Sequence, residues 1–153
     1  MNELLVTLHD SSLATWVRES SSLWAYPMVI TMHTFGLAVL VGASTAVDLR
    51  VLGVARQIPL GSVHGFFSAM WIGFWLNAVT GVMLFAADPR TTGIFMIKLL
   101  SVAIGVLLIV LIKRDIVGDV YSSVTTPRAK AYAVLSLLMW VVATTTGRLM
   151  AYL

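Results

Sequence analysis

Between Tyr26 and Val47 the chain carries no fixed charge, and this run constrains the fold more than any other stretch. About 20 apolar residues, rising 1.5 Å each as a helix, cross the hydrocarbon layer of a bilayer. His33 sits inside the run, seven residues past Tyr26, so roughly 10 Å along such a helix. An ionisable side chain at that depth is costly and marks a candidate functional site. Asp48 and Arg50 close the run, and the sequence places them at the inner end of the helix.

Composition extends the argument to the whole chain. Of 153 residues, 59% are hydrophobic and only 11% charged, with a mean hydropathy of +0.93. These values predict an all-α integral membrane protein. The length accommodates a four-transmembrane-helix bundle as one membrane domain, with spans over about 26–47, 65–87, 94–112 and 130–151. No separate soluble domain fits. Cysteine is absent, which excludes disulfides, iron–sulfur clusters, thiolate zinc sites and thioether-attached haem. The net charge of +3 resides at span ends, so it speaks to lipid and orientation and not to nucleic acid. No nucleophile triad, paired-carboxylate site, P-loop or dinucleotide fingerprint is present.

Residues 1–25 lack the basic start and apolar core of a secretory signal. Leu4, Leu5, Leu8, Leu13, Trp16 and Val17 instead recur at near-helical spacing, predicting an amphipathic interfacial helix capped midway by Asp10 or Ser11. Trp16, Trp24 and Tyr26 form an aromatic belt. The expected loop from Asp48 to about Ser62 contains Arg50, Arg56 and a Pro59-Leu60-Gly61 turn. Asp88-Pro89-Arg90 stops the second span, Lys113-Arg114-Asp115 closes the third, and a loop with Asp119 and Pro127 precedes the fourth.

Arg50, Arg56, Lys113, Arg114, Arg128 and Lys130 fall on the side of the first and third loops, so the positive-inside rule puts both termini outside the cytoplasm. By depth, His33, Met83, Lys98 and Arg148 then belong to one outer leaflet. Polar and small residues form a stripe on each span: His33, Gly36, Leu40 and Ser44; Gly73, Asn77, Thr80 and Gly81; Lys98, Ser101 and Gly105; Ser136, Trp140, Thr144 and Arg148. Such stripes permit close helix approach, cross-helix hydrogen bonds, or a cavity for a flat ligand. Neutral imidazole is an axial ligand of haem iron, and helical bundles hold haem between facing helices. The expected cofactor site is therefore haem b on His33, with Lys98 and Arg148 for the propionates and Met83, Trp140 and Thr144 lining it. Met32, Met83, Met96 and His9 are candidates for a sixth ligand. His64 lies toward the other leaflet, as an interfacial residue or a second metal site. The alternative for His33 is an interhelical hydrogen bond, for instance to Thr80.

The ordered set Tyr26-Pro27, His33, Gly36-Leu37, Val41-Gly42, Asp48-Leu49-Arg50-Val51-Leu52-Gly53, Thr80-Gly81, Leu84-Phe85, Phe95, Lys98, Gly147-Arg148 and Ala151-Tyr152 resembles a family of small four-span bacterial membrane proteins. More distantly, the chain is similar to the copper-resistance D membrane domain and to the four-span bacterial protoporphyrinogen oxidase. In that resemblance His33 matches an early-span histidine and Lys98 a lysine opening a later span. The oxidase likeness implies haem b and the copper-resistance likeness copper handling; the expected location is the bacterial inner membrane, with the termini on the periplasmic side by the positive-inside rule. Relatives often place a histidine near the end of the third span, where this chain has Ile112-Lys113, so the likeness carries over no second histidine ligand.

Three readings follow: a haem-binding membrane cytochrome in electron transfer or redox sensing, a copper-handling or transport component, and a cofactor-free subunit of a larger complex. The expected partners are the bilayer, further copies of the chain, and a redox partner or quinone.

Overall fold

The computed structural model describes residues 3–57, 59, 63–89, 93–118, 126–150 and 152. It is all-helical over these residues: α1 (Glu3–His9), α2 (Ser12–Glu19), α3 (Tyr26–Leu52), α4 (Val63–Ala87), α5 (Gly93–Gly118) and α6 (Pro127–Leu149). Four stretches are long and apolar enough to cross a membrane: Tyr26–Leu52, Val63–Ala87, Gly93–Asp115 and Pro127–Leu149. The all-α membrane class expected from composition is the observed one. The expected Pro59-Leu60-Gly61 turn, Arg90, Asp119 and Ala151 lie wholly or partly outside the described residues.

The helix ends differ from the expected ones for local reasons. The first span does not stop at Val47. It continues through Asp48 and Arg50 to Leu52, and only Gly53, at φ +84°, turns the chain. The Val54 N–H donates to the Leu49 carbonyl at 3.0 Å and the Gly53 N–H to Arg50 at 3.1 Å, the glycine-terminated hydrogen-bond pattern that satisfies a helix's last carbonyls. The expected loop therefore begins at Gly53. α6 starts at Pro127, earlier than expected, because Thr126 is its N-cap and Oγ1 accepts from the Ala129 N–H at 3.2 Å. Proline at the first helical position loses no hydrogen bond there. Near the N-terminus one amphipathic helix becomes two, and Ser11 caps the second by accepting from the Ala14 N–H at 3.3 Å.

The chain divides into two compact units. The first comprises residues 1–40 and 69–90, the second residues 41–68 and 91–153. In the first unit, α2 buries Ala14 and Val17 completely. Val17 joins Val29 and Ala87 in an apolar cluster flanked by Met83 and Leu84. Trp16, Trp24 and Tyr26 stay exposed, as an aromatic belt requires.

The closest backbone approach in this unit is between α3 and α4. A Cβ on Gly73 would stand 2.7 Å from the Leu40 nitrogen and 2.8 Å from the Gly36 carbonyl oxygen. One on Gly36 would stand 2.8 Å from the Asn77 nitrogen. Only glycine fits at either position, and the contact is the small-residue packing by which helices associate where lipid competes for apolar side chains.

In the second unit α5 packs along α6. Gly105 makes room for the Trp140 indole, whose Cζ2 would be 2.9 Å from a Cβ at that position. Trp140 is buried and donates from Nε1 to Ser44 Oγ at 2.8 Å. Lys113 Nζ sits 5.5 Å from the centroid of the Phe67 ring, a cation–π contact at a helix end. Large apolar side chains such as Ile72, Trp75, Val82, Leu100 and Val141 remain exposed, which would be a liability in water and is the ordinary lipid-facing surface of a spanning helix.

Candidate functional site

His33 lies well inside a spanning helix, and its ring is held by groups from α4. Nδ1 lies 3.0 Å from the Asn77 carbonyl oxygen and 3.1 Å from Thr80 Oγ1. A carbonyl oxygen can only accept, so Nδ1 carries a proton. Thr80 fits the same assignment: its hydroxyl donates to the Leu76 carbonyl at 2.6 Å, leaving its oxygen to accept from the imidazole. The Asn77 carboxamide completes the pairing by donating from Nδ2 to the His33 carbonyl at 2.8 Å, and it reaches His33 Nε2 at 3.5 Å. Gly81 provides the floor, since a Cβ there would stand 3.2 Å from ring carbon Cε1.

The sequence places these groups by simple periodicity. Asn77, Thr80 and Gly81 recur at i, i+3 and i+4, so they share one helical face. His33 and Gly36 do the same on α3. The Gly36–Gly73 contact lies a turn away and sets the distance at which a histidine ring reaches the facing carbonyl. The Thr80 hydrogen bond named as the alternative for His33 is present, together with the Asn77 bond that the stripe contained but did not single out.

Met83 is in this first unit too, where it packs against the Val17–Val29–Ala87 cluster. His9 lies on the surface and both its ring nitrogens face Arg18 Nη1 at 3.1 Å. Met32 and Met96 are exposed.

The second unit contains the remaining expected site residues. Lys98 is half-buried and its side chain lies over Gly147, where a Cβ would stand 3.4 Å from Cε and 3.6 Å from Nζ. The ammonium group is thus brought to the turn of α6 that carries Arg148, which is exposed. Trp140 is committed to Ser44 and Gly105. Thr144 bonds back into its own helix, donating to the Trp140 carbonyl at 2.8 Å. His64 is exposed at the start of α4.

Asp48, expected at the inner end of the first span, lies four residues before the end of α3 at Leu52 and is 1% exposed, beside Ser44 and Ser136, both at 0%. The Ser44 and Ser136 hydroxyls lie near enough to the Asp48 carboxyl to interact with it, yet Asp48 Oδ2 and Ser136 Oγ have no hydrogen-bond partner of acceptable geometry. A signal for this cluster existed in the sequence. Ser44 and Asp48 are spaced i, i+4, as are Ser136 and Trp140, so each pair shares a face.

Among the described residues, no group of three or more His, Cys, Asp or Glu side chains could hold a metal ion. Comparisons with family models, curated proteins and solved structures find no match to this chain.

Proposed function

We propose that the chain is a small membrane cytochrome that holds haem b through His33. The observation carrying this reading is the tautomer. With Nδ1–H donated to the Asn77 carbonyl and Thr80, Nε2 is the nitrogen whose lone pair a metal would use, displacing the long 3.5 Å approach of Asn77 Nδ2, and a ligating histidine commonly donates its other N–H to a carbonyl in this way. Haem also suits the residues at hand. The porphyrin supplies four nitrogens, so one imidazole suffices, whereas a bare copper ion needs several protein donors. The likeness to the four-span protoporphyrinogen oxidase points the same way. Haem would supply one-electron chemistry; the protein would fix the imidazole and keep water from it. Lys98 and Arg148 enter as propionate partners on charge and sequence depth alone. The same reading places the chain in a bacterial inner membrane with both termini periplasmic, in contact with further copies of itself and with a redox partner or quinone.

The test is an optical spectrum of protein purified from haem-replete cells. A Soret band, with an α-band appearing on dithionite reduction, is the expected result, and His33→Ala abolishes both. Thr80→Val, which removes one of the two acceptors, weakens haem binding about tenfold. A colourless preparation whose apo form takes up no added haemin overturns the reading.

A second reading, a cofactor-free subunit of a larger complex, is favoured by the reciprocal His33–Asn77 pairing, which ties two spans together without any ligand. It predicts the colourless outcome, with His33→Ala lowering stability and leaving any bound metal at background.

A further inference from the structure

Among the helical hydroxyls, Ser136 is an exception. Thr31, Thr34, Ser68, Thr80, Ser101, Thr144 and Thr146 each donate to the carbonyl four residues back. That is the ordinary refuge for a hydroxyl in an apolar medium. Ser136 forgoes it. Its Oγ is wholly buried and makes no hydrogen bond of good geometry, although the Asp48 carboxyl is near enough to interact with it. Asp48 Oδ2, on α3, is buried and unpartnered as well. Behind them Trp140 donates to Ser44 Oγ, so the Ser44 oxygen has its donor and its own proton is left to point elsewhere, with the carboxyl beside it.

A carboxyl oxygen and a hydroxyl oxygen that are both fully buried and in no hydrogen bond of good geometry are an expensive arrangement, which either a proton or a cation between them relieves. We propose that Asp48 Oδ2 and Ser136 Oγ are ligands of a buried monovalent alkali cation, with Ser44 supporting the carboxylate. One carboxylate balances one positive charge, and hard oxygen donors suit an alkali ion. A divalent ion would call for further carboxylates, and the described residues offer no such cluster. The site lies within the second unit and owes nothing to His33, so it stands or falls apart from the haem reading.

The experiment measures the thermal midpoint of the purified full chain in detergent at constant ionic strength, with choline chloride replaced stepwise by sodium, lithium or potassium chloride. A specific cation raises the midpoint saturably, by on the order of 5 °C at a hundredfold excess over its dissociation constant. The shift disappears in Asp48→Asn and shrinks in Ser136→Ala. Identical midpoints in all four salts overturn the proposal using wild-type protein alone, so a misfolded variant cannot obscure the result. A midpoint that follows pH but not the cation also overturns it, because the carboxyl would then be satisfied by a proton. A cation shift that persists undiminished in both variants places the ion elsewhere and overturns it equally.

Discussion

Gly73→Ala will destabilise the protein by about 3 kcal/mol or more, near the upper end of what overpacking costs. The added methyl would meet backbone atoms, the Leu40 nitrogen at 2.7 Å and the Gly36 carbonyl oxygen at 2.8 Å. Backbone cannot rotate aside as a flexible side chain can, so α3 and α4 must separate in this unit. Gly36→Ala carries the same expectation through the Asn77 nitrogen at 2.8 Å. Gly42→Ala is the control. Nothing lies within 4 Å of a Cβ at that position, so the substitution removes only the backbone entropy cost of a helical glycine and stabilises by about 0.5–1 kcal/mol. Denaturant titration of the three variants in mixed micelles, followed by helical circular dichroism, checks both signs. A neutral Gly73→Ala would mean that the two backbones do not approach as described.

Trp140→Ala will cost a similar amount, about 3–5 kcal/mol. The indole fills the space left by Gly105 and is the donor to Ser44, so the substitution opens a cavity and strips a buried hydroxyl of its partner. Trp140→Phe separates the two effects: it retains most of the packing and loses the N–H, for an expected penalty of about 1–3 kcal/mol. Thermal unfolding of both variants in one detergent gives the ratio. Equal losses would assign the whole effect to the hydrogen bond.

Much of this was legible in the sequence. The spanning helices follow from runs of apolar residues, and the interior faces follow from where small and polar residues recur. His33, Gly36 and Leu40 do meet Gly73, Asn77, Thr80 and Gly81, while Ser44, Gly105 and Trp140 converge separately. Periodicity assigns residues to a face without saying which face meets which. The Trp140–Ser44 bond joins residues 96 apart, and no local pattern announces such a pairing. The enclosure of Asp48 was hidden for a different reason. A charged residue after a long apolar run ordinarily signals the membrane surface, and nothing in the run shows that two serines from different helices enclose it. Gly53, five residues on, was the better marker of the helix end, because its φ of +84° ends the hydrogen-bond ladder whatever the polarity around it.

The His33 clamp also bears on the order of assembly. His33 is on the first span, and the described groups that orient its imidazole, Asn77, Thr80 and Gly81, are all on the second. Helices inserted singly into a bilayer associate afterwards, so pairing of these two is enough to select the Nδ1–H tautomer. The ring can thus be set while the later half of the chain is still being synthesised.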